Sequence, residues 1–341
     1  MRNLCYGEKL IPQGIRFAIN NMNRYGNIFG ASKKELVSWA KSLKLPHEGS
    51  RIFFASCMYP LMEQAETFLK ISKSLSKIGF KFESILSSMR ILQNLRLTSI
   101  AKSLFISQNN KAPYCDALTH AIEVLNELGV ECAYLYEDEP CCGAAYHTYG
   151  YLTKFSEHVH YFHNFLKERN VKEIITLNPI CATIMKIYYP QFVPDFNITI
   201  RTFTEIVAQE ISKKKLNLQV KEPIKVVFHD PCYQARYINQ VNEIRFILKS
   251  IKGLTIVEPI NSKLLVRCCG AGGVEAVYPD ISLEMAKVRA QELIEANADK
   301  IVTSCPVCIL MLKLGLELLG VKKEVIDIST VIWRVLKQGF V

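Results

Sequence analysis

The motif Cys-Cys-Gly-Ala occurs twice, at Cys141–Ala144 and at Cys268–Ala271, an offset of 127 residues. The same shift lays Asn178-Pro179-Ile180-Cys181 on Cys305-Pro306-Val307-Cys308, and Lys186 on Lys313. Near the end of each half, IRTFTEIVAQ (Ile200–Gln209) matches IDISTVIWRV (Ile326–Val335). Both read as a short strand running into a helix, with Thr204 and Thr330 as expected N-caps. A nearly fixed offset with matched chemistry marks an internal duplication. The expected architecture is therefore α/β, with two pseudo-repeated lobes.

One match exposes a length difference. VVFHDPC (Val226–Cys232) is an apolar strand ending in a cysteine, and its counterpart is RIFFASC (Arg51–Cys57). The offset would place the first cysteine at position 105, which is 48 residues beyond where it stands. The first half is therefore expected to carry a helical insertion at about 61–111. Within it, apolar residues of Phe82–Ile106 recur at helical spacing. That stretch reads as a helical pair docked on the protein or a partner subunit. The alternative is an interfacial element making peripheral membrane contact through about 82–106.

Each half alternates Val/Ile-rich strands with amphipathic helices, the pattern of a small, mostly parallel sheet flanked by helices. Strands are expected near 51–56, 132–136 and 172–177, then near 225–230, 254–258 and 299–304. Helices are expected near 113–128 and 154–168, then near 235–251, 279–296 and 308–319. The domains read as an N-terminal helical segment over 1–50, a first cysteine-rich domain over 51–215 and a second over 222–341. Most cysteines fall at the C-terminal ends of strands, the edge where α/β sheets gather ligands.

At 341 residues and 49% hydrophobic, the chain can bury a substantial core. Its net charge of +10 is scattered, which reads as a solvated basic surface and gives no sign of a nucleic-acid partner. The opening MRNLCYGEKL has no apolar stretch of signal-peptide length. The uncharged run Ile301–Leu312 falls short of the roughly 20 residues that span a bilayer. A cytoplasmic protein is expected, with a peripheral position at the inner face of the membrane as the variant. In a reducing compartment, twelve cysteines point to metal or redox chemistry rather than disulfides.

Cys232, Cys268, Cys269, Cys305 and Cys308 form the sharpest set. Thirty-five residues separate Cys232 from Cys268, and thirty-five separate Cys269 from Cys305. Each gap is about a helix plus a strand, so all three groups can return to one sheet edge. Glycines at 270, 272 and 273 let backbone N–H groups approach closely. Five thiols exceed the four of a structural zinc site, and adjacent cysteines suit a larger multi-iron body better than one tetrahedral ion.

The pattern from Cys232 to Cys308, with HDPCYQARY (His229–Tyr237) and RCCGAGGVE (Arg267–Glu275), resembles the cysteine-rich CCG domain. Tandem copies occur in heterodisulfide reductase subunits B and D and in the iron–sulfur subunits of glycolate oxidase and anaerobic glycerol-3-phosphate dehydrogenase. The resemblance implies a noncubane [4Fe-4S] cluster held by Cys232, Cys268, Cys269, Cys305 and Cys308. It also implies a heterodisulfide reductase B-like oxidoreductase subunit, active in a complex, that transfers electrons to a disulfide or sulfur substrate or to a carrier. Arg16–Lys41 resembles the segment that follows a two-cluster ferredoxin module, whose own CxxCxxCxxxCP signature is absent. The implied partners are a ferredoxin-like iron–sulfur subunit and a flavoprotein subunit. Two other functions stay open: an electron-transfer and membrane-docking subunit of a flavin-dependent dehydrogenase acting on glycerol-3-phosphate, a hydroxy acid or succinate, and a zinc-stabilised scaffold.

The first copy offers Cys57, Cys141, Cys142 and Cys181, with Asn178 where the second has Cys305. Asn is a poor partner for soft metals beside thiolates, so this lobe reads as holding a [4Fe-4S] cluster or Zn. His229 and Gly270 read as supports of the second site, and Asn178 of the first. Cys115 and Cys132 read as core thiols. His158, His160 and His163 read as a surface helix. His147 is a candidate proton donor near the first site, and Glu137–Glu139 a solvated strand exit.

Overall fold

The computed structural model describes residues 11–76, 113–214 and 216–337. Cys5 and the 82–106 stretch lie outside them. Helix α1 (Gln13–Tyr25) precedes strand β1 (Arg51–Phe54), helix α2 (Met58–Ser76) and helix α3 (Pro113–Glu127). Then come α4 (Leu152–Glu168), β2 (Glu173–Thr176), α5 (Pro179–Thr183), β3 (Thr199–Thr202) and α6 (Phe203–Lys214). The second lobe runs β4 (Leu218–Phe228), α7 (Asn242–Lys249), β5 (Ile251–Val257), α8 (Pro279–Glu295), β6 (Lys300–Thr303), α9 (Pro306–Leu318), β7 (Val325–Asp327) and α10 (Ile328–Lys337).

Both sheets are parallel throughout. The first has the order β1-β2-β3, with Ile52 beside Ile174 and Ile174 beside Ile200. The second has the order β5-β4-β6-β7, with Val226 beside Ile256 and Val302 beside Ile326. Strands buried on both faces read as unbroken apolar runs such as IFF and VVF.

Alternation along β1 shows how the lobes join. Ile52 and Phe54 point into a core confined to the first lobe, whereas Phe53 and Ala55 belong to a core that continues into the second sheet. Helix α3 packs on α10, where His120 stacks on Trp333 with ring centroids 4.0 Å apart and Ser329 Oγ donates to the Ala117 carbonyl at 2.9 Å. Tyr59 donates to Asp327 at 2.8 Å across the same junction.

Three expectations need correction. The stretch 132–136 meets β1 only through Ala133, which bridges Ile52. Tyr134 N then donates to the Pro46 carbonyl, and Tyr136 adopts a positive φ, so the chain turns away. The single helix expected near 235–251 is a wide π-helical turn at Tyr233–Tyr237 followed, after a break, by α7. The helix caps lie earlier than Thr204 and Thr330. Thr202 Oγ1 accepts from Glu205 N while Glu205 accepts from Thr202 N, and Asp327 accepts from Ser329 N. In both lobes the last strand residue is itself the cap, so no linking residues intervene.

Candidate metal centres

In the second lobe, β4 ends at Phe228 and leads through His229-Asp230-Pro231 to Cys232; β6 ends at Thr303 and delivers Cys305 and Cys308 at the start of α9. The loop before α8 supplies Cys268 and Cys269. Their thiols neighbour one another in one run, Cys232–Cys268–Cys269–Cys308–Cys305. Cys268 is the acceptor: bonds from Cys232 and Cys269, and the Gly270 N–H at 3.4 Å, pull its thiol far below the ordinary range. The turn depends on Gly270, whose φ of +100° is costly for any other residue and whose added Cβ would drive into the Ser282 carbonyl oxygen. Cys269, Cys305 and Cys308 are buried, while Cys232 and Cys268 are partly accessible. Cys268 borders an open groove of about 650 Å³, with Leu265, Ile281, Met285, Arg236 and Arg267 among its walls.

Aspartate 230 does not face the thiols. It holds Arg245 in a two-pronged ion pair and accepts from Lys263 N at 2.8 Å, tying the Cys232 loop to α7 and to the loop before Cys268.

The first lobe repeats the frame with four thiols. Cys57 and Cys141 sulfurs lie 3.8 Å apart, and those of Cys142 and Cys181 lie 3.2 Å apart. Cys141, like Cys268, accepts from both neighbours, Cys142 and Cys57, and is lowered. Asn178 is engaged elsewhere. Its Oδ1 accepts from Ile180 N at 3.0 Å, capping α5, and its Nδ2 donates to Ser56 Oγ at 2.9 Å. The amide is a structural clip between the β1 and β2 loops and leaves no oxygen aimed at the thiols.

Several neighbours differ from what the sequence suggests. Glu139 is no solvated exit: its carboxylate accepts from Ala55 N at 2.9 Å and Ser56 N at 3.0 Å, and burial pushes it up to about 8. His158 is no surface residue, because its Nε2 lies 2.6 Å from the Cys141 carbonyl; His163 is buried beside Phe196. Only His160 of the three is exposed. His147 packs its ring on Tyr188 and Phe155. Cys132 sits in the main core and the partly buried Cys115 packs against it; burial raises both thiols to about 12. Arg289 escapes the sequence reading altogether, although it interrupts the buried stripe Ala286, Ala290, Leu293 of α8. A cation on an apolar stripe is the available signal.

The spacing of the sulfurs bears on what they fit. A tetrahedral ion with metal–sulfur bonds of roughly 2.3 Å brings every sulfur pair to about 3.8 Å. Among the described residues, the one trio of ligand atoms mutually within 4.8 Å is His229, Cys269 and Cys308. No three thiols of either lobe close on a single point. Each array is strung out, as a body of several metal atoms requires.

Relatives carry the same frame. The model of the cysteine-rich domain CCG matches at residues 108–186 and again at 226–313. The dihydromethanophenazine:CoB–CoM heterodisulfide reductase of Methanosarcina acetivorans has a D-type component that is 31% identical over 62% of this chain and 53% of its own length. The EtfAB:quinone oxidoreductase of Syntrophomonas wolfei is 30% identical over 63% of this chain and 31% of its own. The "Probable iron-sulfur-binding oxidoreductase FadF" of Bacillus subtilis is 26% identical over 91% of this chain and 39% of its own. The chain thus spans about half or less of the length of these relatives. Among the described residues no helix is long and apolar enough to cross a membrane. With the domain matched once in each lobe and the thiols of each match gathered at one sheet edge, this chain carries the CCG cysteine-rich domain twice.

Proposed function

We propose that the chain is an iron–sulfur oxidoreductase subunit, related to heterodisulfide reductase, that passes electrons to a disulfide or sulfur substrate or to a carrier. The observation that carries this reading is the strung-out run of five thiols from Cys232 to Cys305, three of them buried, with an unpaired histidine nitrogen beside them. Cys232, Cys268, Cys269, Cys305 and Cys308 would hold an iron–sulfur cluster, of the noncubane [4Fe-4S] type. Such a cluster would supply one-electron chemistry and an iron open to sulfur.

The protein's own part is positioning. The Gly270 N–H and the thiolate character of Cys268 favour metal over proton at that sulfur. The Asp230–Arg245 pair fixes the Cys232 loop, and the groove beside Cys268 gives a partner or substrate access to the least enclosed edge of the array. The apolar wall of α9 keeps water from the inner thiols. In the first lobe, Cys57, Cys141, Cys142 and Cys181 would hold a four-thiolate [4Fe-4S] cluster, because Asn178 is committed to capping α5. A ferredoxin-like subunit and a flavoprotein subunit are the proposed electron donors.

The test is redox cycling. Anaerobically purified protein should show visible absorption that bleaches with dithionite and recovers on adding a disulfide. A chain with no reducible chromophore overturns the proposal. Bleaching that recovers with a quinone analogue but with no disulfide would move it to the flavin-dehydrogenase alternative.

A further inference from the structure

Arg289 is wholly buried in the middle of α8. Its Nη1 donates to the Asn261 carbonyl at 2.9 Å and to Glu292 at 2.8 Å, and Glu292 also accepts from Asn261 N and Nδ2, both at 2.7 Å. Its Nε donates to His229 Nδ1 at 3.0 Å. A guanidinium has donors only, so Nδ1 must present its lone pair. A neutral imidazole then carries its one proton on Nε2.

His229 Nε2 has no hydrogen-bond partner, although the residue is 1% exposed. A ring nitrogen of His229 lies within 4.8 Å of the Cys269 and Cys308 sulfurs. By distance alone His229 is a third ligand. By its hydrogen bonding it is not, because a nitrogen that carries a proton has no lone pair to give a metal. A buried N–H without an acceptor is destabilising, and sulfur is what stands nearby.

Resting on the iron–sulfur reading, we infer that Arg289 locks His229 in the Nε2–H tautomer, so that His229 donates a hydrogen bond to sulfur of the second-lobe centre and raises its reduction potential. Donation to sulfur favours the more electron-rich, reduced state. With Nδ1 already accepting from Arg289, the ring has no place for a second proton. The device belongs to one lobe. The position matching His229 in the first is Phe54, which is buried and has no polar atom to donate. Arg289 is a positioning residue that acts through the ring.

Iron content of the wild-type chain is measured first, and its absence would overturn the cluster reading separately from the tautomer and its effect on potential. In the metal-free, 15N-histidine-labelled full chain, two-bond 1H–15N correlations should give His229 as the Nε2–H tautomer, with His229→Gln assigning the signal. Potentiometry of the loaded protein should place the second-lobe centre of His229→Leu at a more negative midpoint than wild type. His229→Gln, whose side-chain amide restores an N–H at similar reach, should recover most of the shift, and Arg289→Lys, which keeps a donor, should fall between. An Nδ1–H tautomer overturns the inference. So do equal midpoints for the Leu and Gln variants at wild-type iron content, or loss of iron in both, which would make His229 a ligand.

Discussion

The two lobes present one frame with different fittings. At the end of its first strand, the second lobe places His229 and Asp230, each braced by a buried arginine. The first places Phe54, Ala55 and Ser56, and the N–H groups of Ala55 and Ser56 are taken up by the Glu139 carboxylate. At the end of the central strand, Cys305 in one lobe is Asn178 in the other, and Asn178 spends its amide on a cap and on Ser56. The CC-Gly turn, by contrast, survives in both, with the first cysteine of each pair accepting from its neighbours. Duplication kept the geometry that delivers sulfur and let the surrounding hydrogen bonds diverge. That divergence is what would set the two centres apart in ligand number and potential.

The largest expected effect separates the lobes outright. Cys269→Ser should remove most iron from the second lobe while leaving the first loaded, and Cys142→Ser should do the reverse. Iron per chain and the electron paramagnetic resonance spectrum after reduction report both. Loss of all the iron, or of the same resonance signal, in both variants would mean one shared centre. The glycine turns come next. Alanine at either turn adopts an unfavourable positive φ, at about 1–3 kcal/mol. At 270 the new Cβ meets backbone, which cannot yield, whereas at 143 it meets His158 Cδ2 at 2.6 Å, a side chain that can swing aside. Gly270→Ala should therefore lower Tm well beyond Gly143→Ala, and equal shifts would contradict this difference in packing.

The caps provide a pH test. Asp327 is raised from 3.8 to about 6 by burial, against bonds from Ser329 and Tyr59. Between about pH 4 and pH 6 the native state alone keeps this proton. The group's contribution is therefore most favourable below about pH 4, falls as pH rises to about 6 and is level above, by on the order of 2–3 kcal/mol. The difference in Tm between wild type and Asp327→Asn should follow that course. Thr202→Ala in the first lobe, which removes a neutral cap, should give a difference that does not. The smallest effect is expected from Asn178→Cys, which should cost about 1 kcal/mol through the lost cap and, by adding a fifth thiol, move the first-lobe spectrum toward that of the second lobe. Unchanged spectra would show that the missing thiol is not what distinguishes the lobes.

The division into parallel sheets and the gathering of thiols are legible in the chain because they rest on periodicity and spacing, both linear in sequence. Strand β5 and the segment around Ala133 show where that ends. Both read as strands, yet β5 pairs along its length while the Ala133 segment turns away at Tyr136. Glu139, His158 and Arg289 are opaque for another reason. Each is a polar residue on an element that reads as solvated or apolar, and its importance lies in a partner 17 to 84 residues away. Asn178 is recognisable as a poor ligand, but its use as a clip depends on Ser56, 122 residues distant.

The most direct test of the central claim is the metal and acid-labile sulfide content of the anaerobically purified chain. The account predicts iron well above trace with sulfide close to equimolar to it. Zinc alone, without sulfide, would contradict it and leave a scaffold whose thiols only hold the fold together.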